Sequence, residues 1–221
     1  MNEDVNIQRA DGSPTTGEDL LGVVSAEGKA RGQVIQAVER LVQHLPNVIV
    51  TRADAGMFGE VRNVCTEAEW HETAHVIRIW RSRREFGLHE IAVIAARKSD
   101  IPVAEEAALA AETFGNRVER IWDAGNDETH RRQAELDSQN MQAIIVVGDG
   151  KSTLSLLARQ IVGVPVVVVP TSSDYGEAAT DPLPENFSAE AAELTVVNFN
   201  DGVRAGLIAG QIVRNLSVRE K

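Results

Sequence analysis

The run VVGDGKSTLSLLA, residues 146–158, sets Gly-Lys-Ser-Thr between a Val-rich segment and an apolar helical pattern. These are the residue types with which backbone N–H groups and a lysine cradle phosphates. The spacing excludes a nucleoside-triphosphate P-loop. Such a loop needs a glycine five positions before Gly150, and that position is Ile145, inside the strand. Asp149 would also put a carboxylate where a phosphate must sit. What remains is Lys151, with the Ser152 hydroxyl beside it. An ammonium there attracts carboxylate or phosphate, and it acts as a base only when burial lowers its pKa.

Four further stretches carry chemistry. In KSDIP, Ser99 and Asp100 precede Pro102, a pattern that serves equally as a helix N-cap and as an anion site built on free N–H groups. PTSSDYG follows a very apolar strand with Thr171, Ser172, Ser173 and Tyr175. Three consecutive hydroxyls exceed what a turn needs and favour contact with an anion or substrate. NFNDG offers Asn198 and Asn200, with Gly202 permitting close backbone approach; an Asx-turn explains the same residues. HETAH has the two-histidine spacing of a zinc protease, but His75 opens a strand and no third ligand is near, so no metal site is assigned. His130, at a helix start in ETHRR, is a candidate general acid or base. The one cysteine, Cys65 beside Val64, reads as packing.

These residues need elements to hold them. Residues 1–20 are polar and acidic and read as a disordered arm. Residues 21–84 form a small α/β module: Val34, Ala37, Val38, Leu41 and Val42 share one helical face, NVIVTRA is a buried strand, a short helix follows, and a second strand runs from His75 to Trp80. RSRREFG is a basic connector. From residue 85 to 221 strands alternate with helices: EIAVIAA, RVERIWDAG, AIIVVGDG, VPVVVVPTS and LTVVNFN are strands, separated by helical patterns and closed by GVRAGLIAGQIVRNL. Short Val/Ile runs without alternation are strands covered on both faces, the mark of a doubly wound parallel α/β domain. Ligands in such sheets bind beyond the carboxyl ends of the strands, which is where the polar stretches above fall.

Composition narrows the partners. With 22 Lys+Arg against 33 Asp+Glu the formal charge is -11, which disfavours nucleic acid and anionic membranes. No apolar run nears the roughly 18 residues of a membrane span, and the polar start is unlike a signal peptide, so a cytoplasmic protein is expected. The Gly/Ala-rich last helix fits close packing between subunits of a homo-oligomer.

Taken in order, GVVSAEGKARGQ, VIVTRA, AEWHETA, AVIAARKSDIPVAEEAA, RVERIWDAG, HRR, VPVVVVPTSSDYG and VVNFNDGVRAGLIAG resemble the LarB family, the pyridinium-3,5-biscarboxylic acid mononucleotide synthases of nickel-pincer-nucleotide biosynthesis. The carboxy-terminal half of that family is related to PurE, the aminoimidazole ribonucleotide carboxylase/mutase. The resemblance implies a flavodoxin-like, PurE-like domain, an octamer or smaller assembly, and a ligand site lined by Glu27, Gly28 and Lys29 together with Ser99, Asp100, Asp123, Thr171, Ser172, Tyr175, Asn198 and Asn200. It implies carboxylation of the nicotinate ring of nicotinic acid adenine dinucleotide by CO2 or bicarbonate, then phosphoanhydride cleavage releasing AMP, with no tightly bound cofactor and Mg2+ compatible with the phosphates. Two family residues are replaced. A ring-activating cysteine gives way to the region of Glu190, and a catalytic glutamate gives way to Lys151. Lys151, Asp100, His130 and Glu190 are the candidate catalytic residues. The alternative expectation is a catalytically silent homologue that binds the nucleotide or co-assembles with an active paralogue.

Overall fold

A computed structural model describes residues 5–9, 20–83, 90–124, 141–149, 164–171 and 195–219. The chain divides into two compact units, Met1–Arg84 and Glu85–Lys221.

The first unit is a mixed five-stranded sheet in the order β1-β2-β3-β5-β4. Its strands are β1 (Val5–Arg9), β2 (Leu20–Ser25), β3 (Asn47–Thr51), β4 (Glu69–His71) and β5 (Val76–Trp80), with helix α1 (Arg31–Val42) after β2 and α2 (Ala55–Val64) after β3. Only β2 and β3 run parallel. Helix α1 buries Val34, Ala37, Val38 and Leu41, the face its 3.6-residue spacing predicts. Asp54 caps α2 by accepting the Met57 N–H at 2.8 Å.

Three strands here differ from the sequence expectation. Val5–Arg9, placed there in a disordered arm, pairs antiparallel with β2. Backbone pairing on an open sheet edge asks little of side-chain type, so composition hides it. Strand β2 carries Gly22, a poor strand residue; its missing Cβ leaves room for Leu45 and Leu41, whose methyls would stand 3.0 and 3.1 Å from one. Strand β4 is three residues long and forms a hairpin with β5. His71 and His75 therefore lie on a strand and in a turn, His75 with φ 52°, instead of on one helical face.

The second unit holds an all-parallel sheet of β6 (Glu90–Ala95), β7 (Arg117–Ile121), β8 (Ala143–Gly148), β9 (Val166–Pro170) and β10 (Thr195–Val196), with helices α3 (Ile101–Thr113) and α4 (Gly202–Arg219). The order is β10-β9-β8-β6-β7, which is the 2-1-3-4-5 order of flavodoxin-like sheets. Alternate residues serve two cores. Ile91, Val93, Ile145, Val147, Val167 and Val169 meet α3 and α4 on one face, while Ala92, Ile94, Ile144, Val146, Val166 and Val168 form the other. Burial on both faces is why these strands read as unbroken Ile/Val runs. The helices expected at 128–140 and 152–163 lie outside the described residues.

Helix α4 packs on α3 through a stripe of small residues. A Cβ on Gly202 would stand 2.4 Å from the Val103 carbonyl oxygen, one on Gly206 2.4 Å from that of Ala107, and one on Gly210 2.7 Å from Phe114. The small residues that are compatible with packing between subunits thus also serve a close contact inside this unit. Glu106, 2% exposed, accepts the Gly202 N–H at 3.1 Å and ties the start of α4 to α3.

Candidate functional site

Chain order turns back on itself between β6 and β8. Strand β7 leaves to one side of β6 and β8 to the other, which opens the crevice where open α/β sheets take ligands. Two loops meet there. One follows β6 and carries Arg97 into the 3-10 turn Lys98–Asp100; the other follows β8 and begins with Asp149. Thr171 follows β9 and is fixed by its N–H, which donates to the Gly148 carbonyl at 3.0 Å.

Arg97 organises the cluster. Its backbone N–H and Nε donate to Asp100 Oδ2 at 3.1 and 3.0 Å, and Nη2 donates to Oδ1 at 3.0 Å. The Thr171 hydroxyl donates to the same Oδ1 at 2.8 Å. Asp100 is 1% exposed. A carboxylate has about four lone-pair sites, so these four donors satisfy it. Asp100 stands at the N-cap position of α3, yet its side chain makes no bond to that helix. It holds the arginine instead. Nη1, on the outer side of the fork, donates to Asp149 Oδ2 at 2.6 Å. The hydrogen bonds to Asp100 raise the Arg97 pKa above its ordinary value, against the effect of burial, so the guanidinium stays charged.

Other predicted residues lie around this centre at the strand ends of the same unit. Asp123, after β7, has φ 59° and faces Lys98 Nζ at 4.0 Å. Ser99 and Asn198 are exposed. Asn200, 3% exposed with φ 54°, donates its N–H to the Pro170 carbonyl at 2.9 Å, and asparagine tolerates that left-handed geometry. Gly202 serves helix packing, as its approach to Val103 shows. His130, Lys151, Ser152, Ser172, Tyr175 and Glu190 lie outside the described residues.

Glu27, Gly28 and Lys29 belong to the first unit, in the turn after β2. Gly28 takes φ 69°, Lys29 Nζ donates to the Ser25 carbonyl at 2.9 Å, and Glu27 pairs with Arg52, from the end of β3, at 3.2 Å. The turn therefore sits at the carboxyl ends of the two parallel strands of that sheet.

Two residues central to the geometry have no assigned role in the sequence reading: Arg97 and Glu106. Arg97 is the first charged residue after an apolar strand, which was its available signal. Glu106 follows Glu105 in an Ala-rich helix, and nothing local marks which of the two carboxylates is buried.

The model of the LarB/PurE-like N-terminal domain matches residues 3–82. An uncharacterized protein of Methanocaldococcus jannaschii is 27% identical over 225 residues, an alignment that covers 96% of this chain and 83% of the archaeal protein.

Proposed function

We propose, given that residues 3–82 are a LarB/PurE-like N-terminal domain, that the chain is a divergent carboxylase- or lyase-type enzyme. Its substrate is a pyridine dinucleotide or a related ribonucleotide, held at the carboxyl ends of β6 and β8. The reaction is carboxylation or decarboxylation, with or without phosphoanhydride cleavage, and CO2 or bicarbonate is the small co-substrate. Mg2+ is compatible with the phosphates. The observation that carries this reading is the Arg97 guanidinium, anchored on a buried carboxylate at the switch point of a flavodoxin-order sheet, because a fixed fork of N–H donors is the natural receptor for phosphate or carboxylate.

Adding CO2 to a ring carbon forms a C–C bond and releases the ring proton, so a proton acceptor is needed beside the substrate. Asp100 is occupied by its four donors. The proton therefore falls to Lys151, His130 or Glu190. A homo-oligomer of PurE-like type, or one shared with a paralogue, completes the proposal.

Incubation with nicotinic acid adenine dinucleotide, bicarbonate and Mg2+, followed by mass spectrometry, tests it. AMP release or a gain of one CO2 is expected. Calorimetric binding without product is the result expected of a silent homologue, a reading favoured by the full occupancy of Asp100. Absence of both binding and turnover overturns the pyridine-dinucleotide assignment.

A further inference from the structure

The Arg97 cluster has an inner and an outer half. On the inner side the fork meets a carboxylate that is 1% exposed and also holds the Thr171 hydroxyl. Moving Arg97 off Asp100 would strand a buried charge, a costly change. On the outer side Nη1 meets Asp149, whose side chain is 33% exposed, and the Arg97 side chain is itself 39% exposed. A pair this open to water is held less firmly than the buried one, because water solvates its ions once they part. One guanidinium thus carries a buried partner and a partly exposed one.

The charges point the same way. The single positive charge of Arg97 is already met by two carboxylates, Asp100 and Asp149, so with both in place the guanidinium offers an incoming anion little unbalanced charge. Removing Asp149 from the fork leaves Arg97 balanced by Asp100 alone, with Nη1 free to donate to a new oxygen. A phosphate or carboxylate oxygen has the charge and lone-pair geometry that Asp149 Oδ2 presents at 2.6 Å. We propose that Asp149 is a stand-in for the ligand's own oxyanion: a phosphate or carboxylate group binds Arg97 Nη1 by displacing the Asp149 side chain, and Asp149 sets the affinity of the site by competing with it. The inference rests on the nucleotide-site reading above and adds the receptor atom and a residue whose loss strengthens binding.

Calorimetry with three probes separates the cases: AMP carries only phosphate, nicotinate only a ring carboxylate, and adenosine neither. Asp149→Asn keeps the shape and removes the charge, and Asp149→Ser removes most of the side chain; thermal melts verify that both fold. Tightening of about two- to fivefold for an anionic probe in both variants, with adenosine unchanged, is expected for displacement of one partly exposed ion pair. Arg97→Lys, which keeps the charge and loses the fork, should abolish that gain. Tightening for AMP assigns a phosphate, and tightening for nicotinate assigns a carboxylate. Equal effects on adenosine, or unchanged or weakened anion binding in both Asp149 variants while wild type binds, overturn the exchange. If no probe binds any form, the nucleotide reading fails first and carries the inference with it.

Discussion

Asp100 and Thr171 are two ends of one hydrogen bond, 2.8 Å long and buried, and both also meet Arg97. Their losses should therefore overlap. Asp100→Asn turns two acceptors into one acceptor and one donor, so at least one N–H of the fork loses its partner. Hydrogen bonds to a charged group are worth about 1.5–3 kcal/mol, but water recovers part of this because the Arg97 side chain is 39% exposed, so a net loss of about 1–2 kcal/mol is expected. Thr171→Val should cost about 1 kcal/mol by leaving one carboxylate lone pair unmet. In the double variant the second change should add almost nothing, a coupling that urea denaturation of the four forms in a double-mutant cycle measures. Full additivity would show that the two side chains act independently. At the same scale Cys65 is 2% exposed and burial raises its thiol pKa, so it should resist alkylation at pH 7 until the first unit unfolds.

Elements meet most closely where α4 lies on α3. Gly206 faces the carbonyl of Ala107, and a backbone oxygen 2.4 Å from a new Cβ cannot turn aside as a side chain does. Gly206→Ala should therefore destabilise the second unit by about 1–3 kcal/mol, despite alanine's higher helix propensity. Gly32 in α1 and Gly59 in α2 have nothing within 4 Å of the same position. Alanine there should stabilise by about 0.5–1 kcal/mol, since only the propensity difference acts. Thermal melts of the three variants compare the two regimes directly. Glu106 belongs to this contact as well, because it accepts from the first N–H of α4. Through that bond α3, which begins beside Arg97, sets the start of the helix that follows Asn200.

Across the whole molecule, the three tryptophans are divided between the units: Trp70 and Trp80 belong to the first unit and Trp122 to the second. A nucleotide bound at β6 and β8 should raise the transition seen by Trp122 in a Trp70→Phe, Trp80→Phe background. An unchanged Trp122 transition at saturating nucleotide would place the ligand elsewhere. Acid should weaken the first unit. Hydrogen bonds from Arg81 and from Arg78 hold the carboxyls of Glu67 and Glu69 below their ordinary range. A depressed folded pKa stabilises fully above the unfolded value, about 4.3, and that contribution is lost as pH falls through the folded value. Trp70 and Trp80 fluorescence should therefore show melting that is level above about pH 5 and falls below pH 4. The double variant Glu67→Gln, Glu69→Gln should flatten that fall.

The alternation of helices with Val/Ile runs, the start of α3 at a Ser-Asp-x-Pro turn and the buried face of α1 were legible in the residues alone, because periodicity and capping record local geometry. Periodicity says that a face is buried without saying against what. That is why the glycines of α4, compatible with packing between subunits, did not reveal that they face α3. Nor does it reveal sheet order. Arg97 and Asp149 are 52 residues apart and meet because β6 and β8 are neighbours, and Thr171, 71 residues from Asp100, joins them because β9 is next. The polar strand ends could be named from the sequence as places where chemistry belongs. Which of them form one charged cluster, with the arginine at its centre, was decided by strand pairing, since contacts between distant residues follow from the order of the sheet.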